Sequence, residues 1–205
     1  GEYISPYNIA LRGMNKAPPP MDSSIVSKVV DALTIHIIEG LSRKGVNKLS
    51  PLTFKCAING APSDDYIGRI NASTSAGYGF TGAKKDYLPF ADESDPLEIR
   101  CMSEELQDKL ASSVHTYLKG DSCGFVYASQ LKDEPRELSK VVSGKTRVFF
   151  MSSLDNLILA RAFLAPFYSL MVEHNDLFCT AIGINMHVGA DPLMRKLETF
   201  SEYCM

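Results

Sequence analysis

Apolar residues recur at helical spacing early in the chain, at Val26, Val29, Val30, Leu33, Ile37 and Leu41, and predict a helix. Asp22 or Ser23 is placed to cap it, and Gly45 to end it. Residues 1–22 read as an extended segment stiffened by Pro18, Pro19 and Pro20. A second helix is expected over 103–119, where Met102, Leu106, Leu110, Val114 and Leu118 fall four apart and Gly120 closes the run. Residues 124–131 and 147–151 read as strands, the second through the β-prone Val148-Phe149-Phe150. A third helix spans 154–173, and a fourth follows Asp191-Pro192, a cap and first-turn pair. Residues 59–83, rich in Gly, Ser, Asn and Asp, read as loop. The pattern describes an α+β fold, mostly helical, with a few strands. No internal repeat is visible.

Composition narrows this picture. The 205 residues suit one domain or one large piece of a bigger one, and 45% hydrophobic with 22% charged residues is ordinary globular usage. The most apolar stretch, Leu157 to Val172, is shorter than the roughly 20 residues of a membrane span and contains Arg161 and Pro166. It reads as a buried helix, so no transmembrane segment is expected. The start, Gly1-Glu2-Tyr3-Ile4, lacks the basic and apolar regions of a signal peptide. His36 reads as a partly buried helix residue. Cys56, Cys101, Cys123, Cys179 and Cys204 are odd in number and lack a CxxC pair, and the four histidines are scattered. That argues for free thiols in a reducing compartment and against a metal site. A net charge of −3 places any nucleic-acid binding in local basic clusters.

One such cluster runs from Lys132 to Arg147. It holds five basic residues, Lys132, Arg136, Lys140, Lys145 and Arg147, against Asp133, Glu134 and Glu137. Pro135 and Gly144 break regular structure, which gives a long basic excursion between two strands. Arg binds phosphate oxygens in pairs and Lys acts as a mobile point charge, so the loop suits a triphosphate. The acids are placed to hold the basic residues through ion pairs. A solvated charged hairpin has the same pattern. Ser143-Gly144-Lys145-Thr146 is not a phosphate-binding P-loop, because position 139 is Ser139 instead of glycine and a strand follows.

The second cluster is Asn71 to Phe80, followed by Lys84-Lys85. Small residues allow close approach of backbone to a ligand, hydroxyls and amides hold phosphate, and Tyr78 offers a stacking face. A turn-rich surface loop is the alternative.

Together the two segments resemble the RNA-directed RNA polymerases of picornaviruses and picorna-like positive-strand RNA viruses. Thr74-Ser75-Ala76-Gly77-Tyr78 with Lys84-Lys85 is similar to that family's template-entry loop, motif G (TSAGYP), with Gly79 in place of proline. Lys132-Asp133-Glu134-Pro135-Arg136 and Gly144-Lys145-Thr146-Arg147 resemble motif F (KDELR…GK(S/T)R), with Pro135 in place of leucine. The order and separation fit, and the likeness extends over most of residues 25–190.

The resemblance implies the fingers subdomain of a right-hand polymerase over 23–205, with motif G at 73–85, motif F at 131–148, and palm and thumb absent from this chain. It implies NTP binding by Lys132, Arg136, Lys145 and Arg147, and template RNA binding by Thr74, Ser75, Gly77, Tyr78, Lys84 and Lys85. It implies RNA template and primer, NTPs, and the palm and thumb of the same polyprotein as partners, in the host cytoplasm at viral replication complexes. The Mg²⁺ of the parent enzyme is expected to be held outside this chain, since neither the D-x₄-D of motif A nor the GDD of motif C appears with its context. The chain closes on Ser201-Glu202-Tyr203-Cys204-Met205, where motif A is expected to begin, so no catalytic residue is assigned and the fragment alone is expected to be inactive. The alternatives are a stand-alone RNA-binding or regulatory module without polymerase activity, and a structural domain with no RNA role.

Overall fold

The computed structural model of the chain describes residues 4–12, 17–94 and 97–199 and is mostly helical, with one two-stranded sheet. In order, the elements are α1 (Pro6–Arg12), α2 (Ser23–Arg43), α3 (Phe54–Asn59), a 3-10 turn (Lys84–Asp86), α4 (Glu104–Leu118), β1 (Ala128–Leu131), α5 (Leu138–Val142), β2 (Val148–Met151), α6 (Leu154–Glu173) and α7 (Met186–Glu198).

The core gathers on α6. Its Leu154, Ile158, Leu159 and Ala162 pack with Ala57 and Ile58 of α3 and Leu106 and Leu110 of α4, joined by Ile70, Ala76, Tyr87 and Leu88 from the long loop. α6 is long and apolar enough to cross a membrane by length and composition. Its inner face is the core of the fold, whereas its Phe163, Leu164, Phe167 and Tyr168 are exposed, so it is buried on one side only. Pro166 sits inside it without breaking it. Proline lacks the N–H that the carbonyl four residues earlier expects. That carbonyl, Ala162 O, accepts instead from Leu52 N at 2.8 Å. Arg161 ties the helix to its surroundings, donating from Nε to Ala57 O at 2.6 Å and from Nη2 to Gly68 O.

Caps explain why several predicted boundaries hold. Asp22 Oδ1 accepts from Ser24 N at 2.8 Å ahead of α2, and Ser103 Oγ from Leu106 N at 3.4 Å ahead of α4. Gly45 and Gly120 follow α2 and α4 with φ of +79° and +82°, the left-handed geometry that glycine adopts without strain.

Four expectations are corrected. The segment 1–22 is not extended throughout, because α1 forms at Ser5-Pro6: Ser5 O accepts from Ile9 N at 3.2 Å, and proline suits the first helical position. The last helix starts before Asp191-Pro192, because Asn185 Oδ1 accepts from His187 N at 3.0 Å and caps α7, which leaves Pro192 inside it. The first strand covers only 128–131, since its partner strand ends at Met151, opposite Ala128, and the chain there turns into α6. The apolar stripe of α2 is not core: Val26, Val29, Val30 and Leu33 are exposed, and only its C-terminal end is covered, where Leu177 seats against Gly40. His36 is exposed rather than partly buried. Cys204 and the closing residues 200–205 lie outside the described residues, and the other four cysteines are free.

Candidate functional site

The basic segment is the connection of a hairpin. β1 and β2 pair antiparallel with Leu131 opposite Val148, and one further bond, Lys132 N to Arg147 O at 2.8 Å, continues the ladder. That register sets Lys132 and Arg147 across from each other although fifteen positions separate them. Like charges placed opposite on paired strands repel. Glu134 removes the conflict. Its carboxylate accepts from Arg147 Nε at 2.9 Å and Nη2 at 2.5 Å, from Lys132 Nζ at 3.1 Å, and from Arg136 Nη2.

Three cations therefore share one anion. The hydrogen bonds from Arg147 hold the Glu134 carboxyl down to about 2, with burial opposing and Lys132 and Arg136 adding to the downward pull. Arg147 is raised in turn, first by its hydrogen bond to Glu134. The Glu134 side chain is only 17% exposed and that of Arg136 19%, whereas Lys132 and Arg147 remain 47% and 62% exposed. Lys132 and Arg147 so keep donors facing outward, and the buried Nε of Arg136 has no partner. The cluster carries a surplus of positive charge and is equipped to take a polyanion. Lys145 stands apart: it is exposed and pairs with no acid among the described residues.

A glycine seats the hairpin on α1. Gly144 is buried at φ +66°, and an added Cβ there would lie 2.9 Å from Ile9 Cδ1 and 3.0 Å from Ile4 Cγ2. Residues 4–12 thus brace the basic loop. Ser5-Pro6 is the sequence signal for α1, a cap and first-turn pair like Asp191-Pro192.

The second loop is held from within. Asn71 Oδ1 accepts from Ser73 N at 3.0 Å and Ser73 Oγ at 2.7 Å, while Ser75 bridges Ala83 across the turn. Lys84 is turned into the loop, its Nζ donating to Thr74 Oγ1 at 2.5 Å and Ser75 O at 2.7 Å, and partial burial lowers its pKa. Tyr78, 61% exposed, and Lys85 face outward. Gly77 packs against the backbone of Ser152 and Ser153, directly after β2. Of the ten predicted site residues, Lys132, Arg136 and Arg147 converge, Thr74, Ser75 and Lys84 interlock, Gly77 packs on the backbone after β2, and Tyr78, Lys85 and Lys145 are free-facing. The sequence places the acids of the segment to hold its bases, and Glu134 is the one that does so for Lys132, Arg136 and Arg147; it gives no sign of Lys109 of α4, which reaches Gly79 O at 2.7 Å.

The acid–base linkage has a checkable sign. A carboxyl whose folded pKa is depressed contributes stability above its unfolded value, and loses it as pH falls toward the folded one. The stability difference between wild type and Glu134→Gln is therefore expected to stay constant from neutral pH to about 5, then shrink as the pH falls toward 2, in urea unfolding midpoints taken across that range. A difference that titrates near neutrality would contradict the three-cation cluster.

Comparison with known proteins fits this geometry. Residues 12–205 match the family described as viral RNA-dependent RNA polymerase. The chain belongs to that family. It is 27% identical over 195 residues to the replicase polyprotein of cricket paralysis virus, covering 91% of this chain and 11% of that polyprotein. It is 32% identical over 146 residues to the genome polyprotein of human parechovirus 2, covering 69% of this chain and 6% of that one. Its fold matches the sicinivirus 3Dpol RNA-dependent RNA polymerase with a TM-score of 0.66 at 21% identity, over 95% of this chain and 37% of that one.

Proposed function

We propose that this chain forms the fingers of a viral RNA-directed RNA polymerase, gripping template RNA with the 73–85 loop and the triphosphate of the incoming NTP with the 131–148 hairpin. The observation that carries this reading is the convergence of Lys132, Arg136 and Arg147 on Glu134. A single carboxylate neutralises only part of that charge. It holds the cations in a preset arrangement, so a triphosphate meets donors already oriented, and the cost of ordering flexible side chains is met in folding. Lys145 adds a mobile charge at the rim. In the second loop Thr74, Ser75 and Gly77 shape the path of the strand, Tyr78 offers a ring for base stacking, and Lys85 a charge for phosphate.

Phosphoryl transfer needs little covalent chemistry from protein side chains, and positioning with charge stabilisation supplies most of the acceleration. Two-metal transfer also needs carboxylates around Mg²⁺. Among the described residues no three His, Cys, Asp or Glu side chains gather to hold an ion. The residues present do not fit a Mg²⁺ site, and no step is assigned to one in this chain. Catalysis in this reading belongs to palm residues of the same polyprotein, and the chain alone is inactive. The stand-alone RNA-binding module is not favoured, since the family match runs through residues 12–205.

The test is made in the full-length polymerase on a primed template. Tyr78→Ala is expected to weaken template binding by about tenfold, the scale of one lost base–aromatic stack, with nucleotide KM unchanged at saturating template. Unchanged template affinity would remove this loop from the template path.

A further inference from the structure

We infer that Lys109, on α4, is a positioning residue for the template loop: it holds the loop's crown and covers a carbonyl that would otherwise face the RNA backbone. This rests on reading the 73–85 loop as the template guide.

The crown, residues 78–81, has few internal bonds, and its Phe80 packs against the core. Phe80 N donates to Gly77 O at a long 3.3 Å. Support comes instead from two side chains outside the crown. On one flank, Tyr87 accepts from Thr81 N at 3.0 Å and donates to Thr81 O at 3.1 Å. On the other, Lys109 Nζ donates to Gly79 O at 2.7 Å and lies 3.8 Å from the centre of the Phe80 ring. The Phe80 ring in turn meets Tyr87 edge-on, with centroids 4.8 Å apart. Glu105, one turn earlier on α4, aims the ammonium through a 2.9 Å ion pair.

The chemistry explains why a cation suits this point. Gly79 stands at φ +80°, and its carbonyl is an acceptor beside exposed Tyr78. An uncovered carbonyl oxygen repels the phosphates of an approaching strand. Lys109 covers that oxygen, places positive charge at the residue that follows Tyr78, and fixes Phe80 by cation–π attraction. It does all three from a helix anchored in the core through Leu106 and Leu110. A rigid platform of this kind holds a site more closely than the loop does by itself.

The experiment compares Lys109→Met, Lys109→Arg and Tyr78→Ala in the full-length polymerase. It measures the Kd of a fluorescent primed template, nucleotide KM, kcat and the melting temperature. Lys109→Met keeps the stem and removes the charge, and is expected to raise template Kd about fivefold to tenfold with nucleotide KM unchanged. Lys109→Arg, which keeps a donor and a cation, is expected to restore most of the loss. If Tyr78→Ala weakens template binding and Lys109→Met does not, the positioning role is overturned while the template reading stands. If neither variant moves template Kd, the template reading fails and the role fails with it. A fall in melting temperature with template Kd and nucleotide KM worsening together, unrescued by arginine, marks a merely structural residue and also overturns it.

Discussion

Arg147→Ala in the full-length polymerase is expected to raise nucleotide KM on the order of tenfold or more, as for a lost charge-assisted hydrogen bond, with template affinity near wild type. Arg147 is the most exposed member of the cluster, yet its orientation is fixed by two bonds to Glu134. Three of its five N–H donors remain for a ligand. Arg147→Lys keeps the charge but not the planar fork, and should fall between wild type and alanine. Glu134→Gln gives the complementary result. It leaves every cation in place and removes the anion that orients them, so nucleotide KM should rise even though net positive charge has grown. A loop acting only through its field would bind nucleotide more tightly after that change. An unchanged KM for Arg147→Ala at limiting nucleotide would take this side chain out of the NTP site.

Glu134 also marks the limit of what can be read along the chain. Fixed residue spacings carry helices well: α2, α4 and α6 begin and end within a residue of expectation, because periodicity and caps agree there. They carry the basic loop as a local excess of charge. Which acid anchors which base depends on the strand register, and that is decided by pairing across the hairpin. The same holds for Lys84. Its place after the Thr74–Tyr78 run suggests a phosphate contact, but the Ser75–Ala83 bridge folds it back onto Thr74 and Ser75. The exposure of the α2 stripe has a related cause. An apolar stripe reports what a helix face is able to cover, and here only the Gly40 end meets a described neighbour, Leu177. The chain spans 37% of the sicinivirus polymerase it matches in fold. Α stripe whose partner lies elsewhere in a longer protein has the same pattern as one buried within these residues.

Gly77→Ala is expected to cost about 3 kcal/mol of stability, and to weaken template binding more than nucleotide binding. Two penalties combine. At φ +86° a side chain strains the backbone, by about 1–2 kcal/mol for a left-handed residue. The added Cβ would also lie 2.5 Å from Ser152 O and 2.8 Å from Ser153 Cα, both backbone atoms with little freedom to yield. Ser152 follows β2 and Ser153 directly precedes α6, whose Leu154 N donates to Ala76 O at 2.9 Å. The 73–85 loop is thus fixed to the far end of the strand that begins beside Arg147. The five steps from Arg147 to Ser152 span about 17 Å at strand rise, so β2 acts as a strut between the two loops. Gly79→Ala is the control, since Gly79 has a similar φ of +80° with nothing near its would-be Cβ. It should show the backbone penalty alone, in urea unfolding and in template titrations. If Gly77→Ala proves no worse than Gly79→Ala in both, the loop does not bear on the end of β2, and the two grips are set independently.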